Sequence, residues 1–277
     1  MTTFDAFRYD GKRVLVVGGA TGMGAATAEL ATDAGADVVV MDYAPVTNGA
    51  VTAIQLNLAD TASIDAALDE CGGPLDAIFA CAGVADGTPN IERINFLGHR
   101  HLIERALDAG LLPRGSAIGF ISSAAGLGWE PSFSLLEGLF ETPDVESGAA
   151  WFAEHNMADY FHTKQAVCAW VARQAYPFLQ QGVRINAICP GPTDTPLAQA
   201  NAELWLSFGA DYREELDITA ATPLEQAYPL LFLCSDAARG IAGITLVSDA
   251  GYLSAGMTGA FPSAAPMAEM LYNRKTS

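Results

Sequence analysis

Residues 13–42 read RVLVVGGATGMGAATAELATDAGADVVVMD, and no other stretch limits the possible folds as tightly. Two β-branched runs show no alternation of apolar and polar residues. Between them lie a glycine-rich turn and an alanine-rich stretch of helical spacing that starts at Met23 and stops at Gly35. A strand that is apolar on both sides has to be covered on both sides, and two such strands joined through a helix run parallel. Further apolar runs at 53–56, 77–80, 117–122, 184–188 and 244–247 alternate with helical stretches near 64–71, 91–109, 158–179 and 224–233. The alternation predicts an α/β fold: a doubly wound parallel sheet of seven strands with helices on both faces. One connection breaks the pattern. YAPVTNGAVT, after Asp42, contains Pro45 and Asn48-Gly49 and is too short for a crossover helix, so it reads as a loop.

The chain has 277 residues, 51% of them apolar, and no linker-like stretch, so a single domain over 1–277 is expected. Its net charge of -18 comes from 32 acidic against 14 basic residues, with lysine only at Lys12, Lys164 and Lys275. Nucleic acid and anionic membranes are therefore poor partners. The five cysteines are odd in number, widely spaced and mostly set in apolar runs, which suits free thiols in a reducing compartment. The first residues lack a signal-peptide pattern, and no apolar run approaches the roughly 18 residues of a membrane span. The cytoplasm is the expected location. No metal site is expected: His99 and His101, two apart on a predicted helix, face away from each other, and His155 and His162 have no carboxylate or cysteine at metal-binding spacing.

VLVVGGATGMG follows a strand and opens a helix, which places Gly18, Gly22 and Gly24 where a backbone must turn tightly and approach a pyrophosphate at the positive end of the helix. Asp42 ends the second strand 18 residues after Gly24. An acidic residue at an offset of about 20 accepts hydrogen bonds from the adenosine ribose. It also repels a 2'-phosphate, and no Arg or Lys stands in GGATGMG or directly after Asp42 to offset that. The cofactor expected is NAD rather than NADP.

Tyr160 and Lys164 are four apart in DYFHTKQAVCAWVARQA, a stretch of helical periodicity, and so share one face. An ammonium beside a phenol favours the phenolate, which would let Tyr160 exchange a proton with an alcohol or carbonyl oxygen near neutral pH. Lys164 would also be placed to bind the nicotinamide ribose. ISSAAG, at the end of the fifth strand, offers Ser123 to hold the substrate oxygen, with Ser122 as the alternative.

Together these residues resemble the short-chain dehydrogenase/reductase family, from Lys12 to about Tyr252. The resemblance implies a Rossmann-type sheet. It also implies an active-site set of Ser123, Tyr160 and Lys164 completed by Asn95 of INFLG, which anchors a proton-relay water. It maps the segment NAICPGPTDTP onto the nicotinamide end through Pro190, Gly191 and Thr193, and adds Thr21, Met23, Leu58 and Thr195 to the cofactor contacts. Where the family has Asn-Asn-Ala-Gly this chain has Ala80-Cys81-Ala82-Gly83, keeping the glycine. Where an Asp commonly meets the adenine it has Asn57. Ser123 and Tyr160 are separated by an insertion, 127–157, that reads as two short amphipathic helices around LLEGLF and AAWFAEHN. The insertion, the missing second crossover helix and the Cys-Ala-Gly variant look like the bacterial 3α-hydroxysteroid dehydrogenase/carbonyl reductase branch.

Substrate contacts are expected from 129–156 and from 195–223, both apolar and aromatic. Trp129, Phe133, Trp205, Leu206 and Phe208 are either pocket walls or ordinary packing residues. The expected reaction interconverts a bulky hydrophobic secondary alcohol and its ketone. A reductase of smaller carbonyls or quinones is the alternative, and a non-catalytic dinucleotide sensor a more distant one. A homodimer or homotetramer is expected. The tail 254–277 either caps the pocket, reaches a neighbouring subunit or stays loose.

Overall fold

The apolar runs become a seven-stranded, all-parallel sheet in the order β3-β2-β1-β4-β5-β6-β7. The structure is a computed structural model that describes residues 2–274; Lys275 and the rest of the tail after it lie outside the described residues. The strands are β1 Arg13–Val17, β2 Asp37–Asp42, β3 Thr52–Gln55, β4 Ala77–Ala80, β5 Ala117–Ile121, β6 Arg184–Pro190 and β7 Thr245–Ser248. Strand order reverses between β1 and β4, which opens a crevice at their carboxyl ends. β6 runs two residues further than expected because Cys189 and Pro190 still pair with Val247 and Ser248.

The helices are α1 Gly22–Asp33, α2 Thr61–Cys71, α3 Gly98–Asp108, α4 Phe133–Phe140, α5 Val145–Glu154, α6 Tyr160–Gln181, α7 Pro196–Gln199, α8 Ala202–Trp205, α9 Ala210–Glu215, α10 Pro223–Cys234, α11 Tyr252–Met257 and α12 Ala265–Tyr272. Side chains of α1 and α10 cover one sheet face with Val14, Val16, Val38 and Val40, while α2, α3 and α6 cover the other with Leu15, Val39, Ile78 and Phe120. On that second face Trp170 of α6 is fully buried and meets Phe96, Phe120 and Phe178 edge-on. Such offset ring pairs add to what burial alone contributes.

Residues 43–51 form no helix, as the turn signals indicated. The insertion does fold as two helices, α4 and α5, and Asp144 caps α5 by accepting from the Ser147 N–H at 2.7 Å. The helix expected over 91–109 is continuous from 91 to 108 but is not α-helical throughout. A π-helical turn, Arg93–Leu97, precedes α3, and π turns inside helices frequently mark functional sites. Arg184 at the start of β6 is buried and donates to the carbonyls of Leu233, Cys234, Ser235 and Ala238, which fastens the carboxyl end of α10. No helix among the described residues is long and apolar enough to cross a membrane.

Candidate active site

Two cavities lie side by side along the carboxyl ends of the strands. The first, about 480 Å³, follows the crevice between β1, β2 and β4 and is lined by Gly18, Thr21, Gly22, Met23, Gly24, Asp42, Asn57, Leu58, Cys81, Ala82, Gly83 and Thr195. Each of these was singled out from the sequence as a cofactor contact; other lining residues, among them Leu56, Ala59, Thr88 and Asn90, were not. At Gly24 a Cβ would stand 1.9 Å from the Gly18 carbonyl oxygen, so only glycine lets α1 start this close to the turn. Ala20 N–H donates to Asp42 Oδ2 and Ala44 N–H to Oδ1, each at 2.8 Å. Asp42 thus fastens the glycine-rich turn to the end of β2 while its carboxylate borders the cavity. Asn57 Oδ1 accepts from the Ala59 N–H at 3.0 Å. Tyr43, exposed beside Asp42, lines the same cavity; the sequence reading passed over it, although its place directly after the acidic residue was a signal.

A helix N-terminus, a glycine cradle and a carboxylate at the rim fit a nicotinamide dinucleotide. No Arg or Lys lines this cavity among the described residues.

The second cavity, about 350 Å³, holds Ser122, Ser123, Tyr160, Lys164, Pro190, Gly191 and Thr193, and shares Met23, Cys81, Gly83 and Thr195 with the first. The two strand-end serines divide their tasks. Ser122 turns inward, donating to the Lys164 carbonyl at 3.0 Å and accepting from the Cys168 thiol at 3.2 Å. Ser123 caps the following turn, accepting from Ala125 N–H at 3.2 Å, and its hydroxyl faces Tyr160.

Tyr160 is the first residue of α6. Its N–H donates to Asp86 Oδ1 at 2.6 Å, and the cap residue Asp159 accepts from the His162 N–H at 2.9 Å. One turn on, Lys164 is 4% exposed; its Nζ donates to the Ile121 carbonyl at 3.1 Å and stands 5.6 Å from the Tyr160 ring centre. Asn95, in the π turn, is held on both sides: Oδ1 accepts from Val84 N–H at 2.8 Å, and Nδ2 donates to Val84 O and Thr163 Oγ1. A Cβ on Gly83 would meet both Lys164 Nζ and Asn95 Oδ1, which places these two groups at one point of the cavity floor.

The electrostatics correct the sequence reading. The ammonium was expected to draw the phenol toward neutral pH, but burial pushes Tyr160 up to about 12, with Ser123 pulling the other way and Asp86 adding to the rise. Burial also draws Lys164 down to about 8. Desolvation outweighs the pair's mutual influence.

Trp129 and Phe133 of the insertion turn out to be packing residues, meeting each other edge-on against the hydrophobic core. Trp205 and Phe208 do line the second cavity, and Trp205 lies 4.9 Å from the Tyr160 ring, centre to centre. Leu206 gives way to Leu204 as a wall residue. The tail returns to the site: Met267, Met270 and Leu271 of α12 form the outer wall, which no local pattern in the sequence foretold. His99 is buried and neutral, pushed down to about 4, and anchors the Ala82 carbonyl at 3.0 Å. The other histidines are spread over the surface, with His101 on Asp65, His155 stacked on Trp151 and His162 on Asp159.

Comparison with known proteins agrees with this fold. Residues 12–135 match the family described as short chain dehydrogenase, and residues 145–253 the family described as enoyl-(acyl carrier protein) reductase. Among similar proteins, cis-4-hydroxycyclohexanecarboxylate dehydrogenase of Sinomonas cyclohexanicum is 30% identical over 87% of this chain and 96% of its own length. The 3-alpha-hydroxysteroid dehydrogenase/carbonyl reductase of Comamonas testosteroni is 30% identical over 86% and 95%. The crystal structure of the 3-alpha-hydroxysteroid dehydrogenase from Pseudomonas sp. B-0831, complexed with NADH, superposes with a TM-score of 0.72 at 26% identity, covering 90% of this chain and 99% of that one.

Proposed function

This chain belongs to the short-chain dehydrogenase/reductase family, and from that premise we propose that it is an NAD-dependent oxidoreductase interconverting a bulky hydrophobic secondary alcohol and its ketone. The observation that carries the reading is the second cavity. Ser123 and Tyr160 stand at its floor, next to the cofactor cavity, and its walls are Leu204, Trp205, Phe208 and α12. Such a pocket suits an alicyclic, steroid-like or aryl substrate with one reacting oxygen.

A nicotinamide dinucleotide held along the first cavity supplies or accepts the hydride. Gly18, Gly22 and Gly24 would hold its pyrophosphate, Asp42 the adenosine ribose, and Pro190, Gly191 and Thr193 the nicotinamide end, with Lys164 on the neighbouring ribose. Ser123 orients the substrate oxygen and Tyr160 moves a proton to or from it. Asn95 holds Val84 and Thr163 and thereby keeps the floor in place for proton exchange with water. With the phenol pushed up to about 12, Tyr160 holds its proton at neutral pH and can give it to a ketone oxygen directly. The reverse reaction needs a base, and its rate should rise with pH. Preference for NAD is supported by the Asp42 carboxylate and the absence of Arg and Lys from the lining among the described residues. The chain would act as a single-domain cytoplasmic enzyme. Exposed Leu224, Tyr228 and Leu246 along α10 and the edge strand β7 support a homodimer or homotetramer.

The test is NADH formation or consumption over a panel of alicyclic, steroid and aryl alcohols and ketones, with NADP in parallel. Turnover lost in Tyr160→Phe, with NAD binding retained, supports the mechanism; substantial activity in that variant refutes it.

A further inference from the structure

Among the described residues, the second cavity carries two charged groups, Lys164 and Asp86. Lys164 lies at the floor, buried and turned onto the Ile121 carbonyl, so it offers a distal anionic group little. The nearby cation of the substrate segment, Arg213, is also spent elsewhere, donating to the carbonyls of Phe208 and Leu206. Asp86 is exposed at the mouth, three residues beyond Gly83. Its Oδ1 takes the Tyr160 N–H, and its other oxygen has no partner among the described residues.

The amino end of α6 is where an anionic substrate group would otherwise find attraction, since free N–H groups and the helix dipole favour negative charge there. In this chain two carboxylates already hold two of those donors, Asp86 on Tyr160 and Asp159 on His162. Ser123 likewise takes the Ala125 N–H of the facing turn. An incoming carboxylate at this helix end therefore meets a like charge with two of the first-turn N–H groups already taken, whereas a neutral group with N–H or O–H meets an acceptor.

Resting on the reading of this cavity as the alcohol/ketone site, we propose that Asp86 is a specificity-determining residue that admits neutral substrates, preferring a hydrogen-bond donor remote from the reacting carbon, and turns carboxylates away. Asp86 also adds, after burial and Cys189, to the rise of the Tyr160 phenol. Specificity built on a repulsive element is as effective as one built on added contacts.

A matched pair of probes tests this: 4-hydroxycyclohexanecarboxamide and 4-hydroxycyclohexanecarboxylate, alike in shape and different in charge. Binding to the NAD complex is measured by titration calorimetry, and turnover by NADH formation. The carboxamide is expected to bind about tenfold more tightly, the scale of one like-charge contact near a protein surface. Asp86→Asn keeps the acceptor for Tyr160 N–H and removes the charge, so the ratio should fall to near one. Equal binding of both probes by the wild type, or a ratio unmoved in Asp86→Asn, would each overturn the proposal. Selective binding without turnover supports the role of Asp86 while counting against the proposed reaction. Failure of both probes to bind overturns both.

Discussion

Replacing Lys164 by methionine is expected to make the cofactor-free protein more stable. The ammonium is 4% exposed, with a single protein acceptor at 3.1 Å. Burial lowers its pKa from the ordinary 10.5 to about 8. A tenfold change in proton affinity corresponds to about 1.36 kcal/mol, so holding the charged form in the fold costs about 3 kcal/mol at pH 7. Methionine has a similar reach and no charge, but leaves the Ile121 carbonyl without its donor, a loss of about 1 kcal/mol. The net gain of about 2 kcal/mol corresponds to a rise in Tm of roughly 4–8 °C for a chain of this size. The sign with pH follows from a folded-state pKa lying below the unfolded one. Below about pH 8 both states carry the proton and the full penalty applies. Between about 8 and about 10.4 the folded state has released its proton while the unfolded state still holds it, and the penalty shrinks away as pH rises. Thermal unfolding of wild type and variant at pH 7 and pH 9.5 measures both quantities. A variant no more stable at pH 7, or a gain undiminished at pH 9.5, would refute the argument from burial.

Three further outcomes follow from the geometry. Gly24→Ala brings a Cβ to 1.9 Å from the Gly18 oxygen and should cost about 1–3 kcal/mol in thermal unfolding, with dinucleotide affinity reduced at least about tenfold in a fluorescence titration. Asp42→Ala should lower the ratio of kcat/KM for NAD over NADP by about tenfold or more; because the Ala20 and Ala44 N–H groups lose their acceptor, denaturant unfolding should also show a loss of about 1–2 kcal/mol. Arg184→Ala, which abandons four carbonyls at the end of α10, should cost about 3–5 kcal/mol by the same assay, with Arg184→Lys recovering only part.

The sheet was legible because its strands are short β-branched runs bounded by turn residues, and a buried parallel strand has little freedom to read otherwise. The cofactor cavity was legible for a related reason: Gly18 to Gly24 and Asp42 belong to one continuous β-turn-α-β unit, so sequence spacing fixes their separation in space. What depended on distant packing was not legible. Residues 91–109 have the composition of one helix, and nothing local announces the π turn that aims Asn95 at Val84 and Thr163. Trp129 and Trp205 look alike in sequence, both in apolar segments, yet one joins the core and the other faces Tyr160, a choice made by how each segment leaves its strand. The phenol's displacement was misjudged because spacing reveals a neighbouring charge but not the loss of water around it.

The outer wall of the second cavity belongs to α12, which comes after the last strand and packs chiefly on α11 and the turn at Ala124–Gly126. It is keyed into place by Gly128, whose φ is +65° and where a Cβ would strike the Leu271 carbonyl at 2.4 Å. No strand pairing passes through this helix. Natural selection can therefore redraw one wall of the pocket by exchanging a few residues of this one helix, leaving the glycine-rich turn and the sheet untouched. Paralogues of such a chain should diverge in what they accept far sooner than in how they bind their coenzyme.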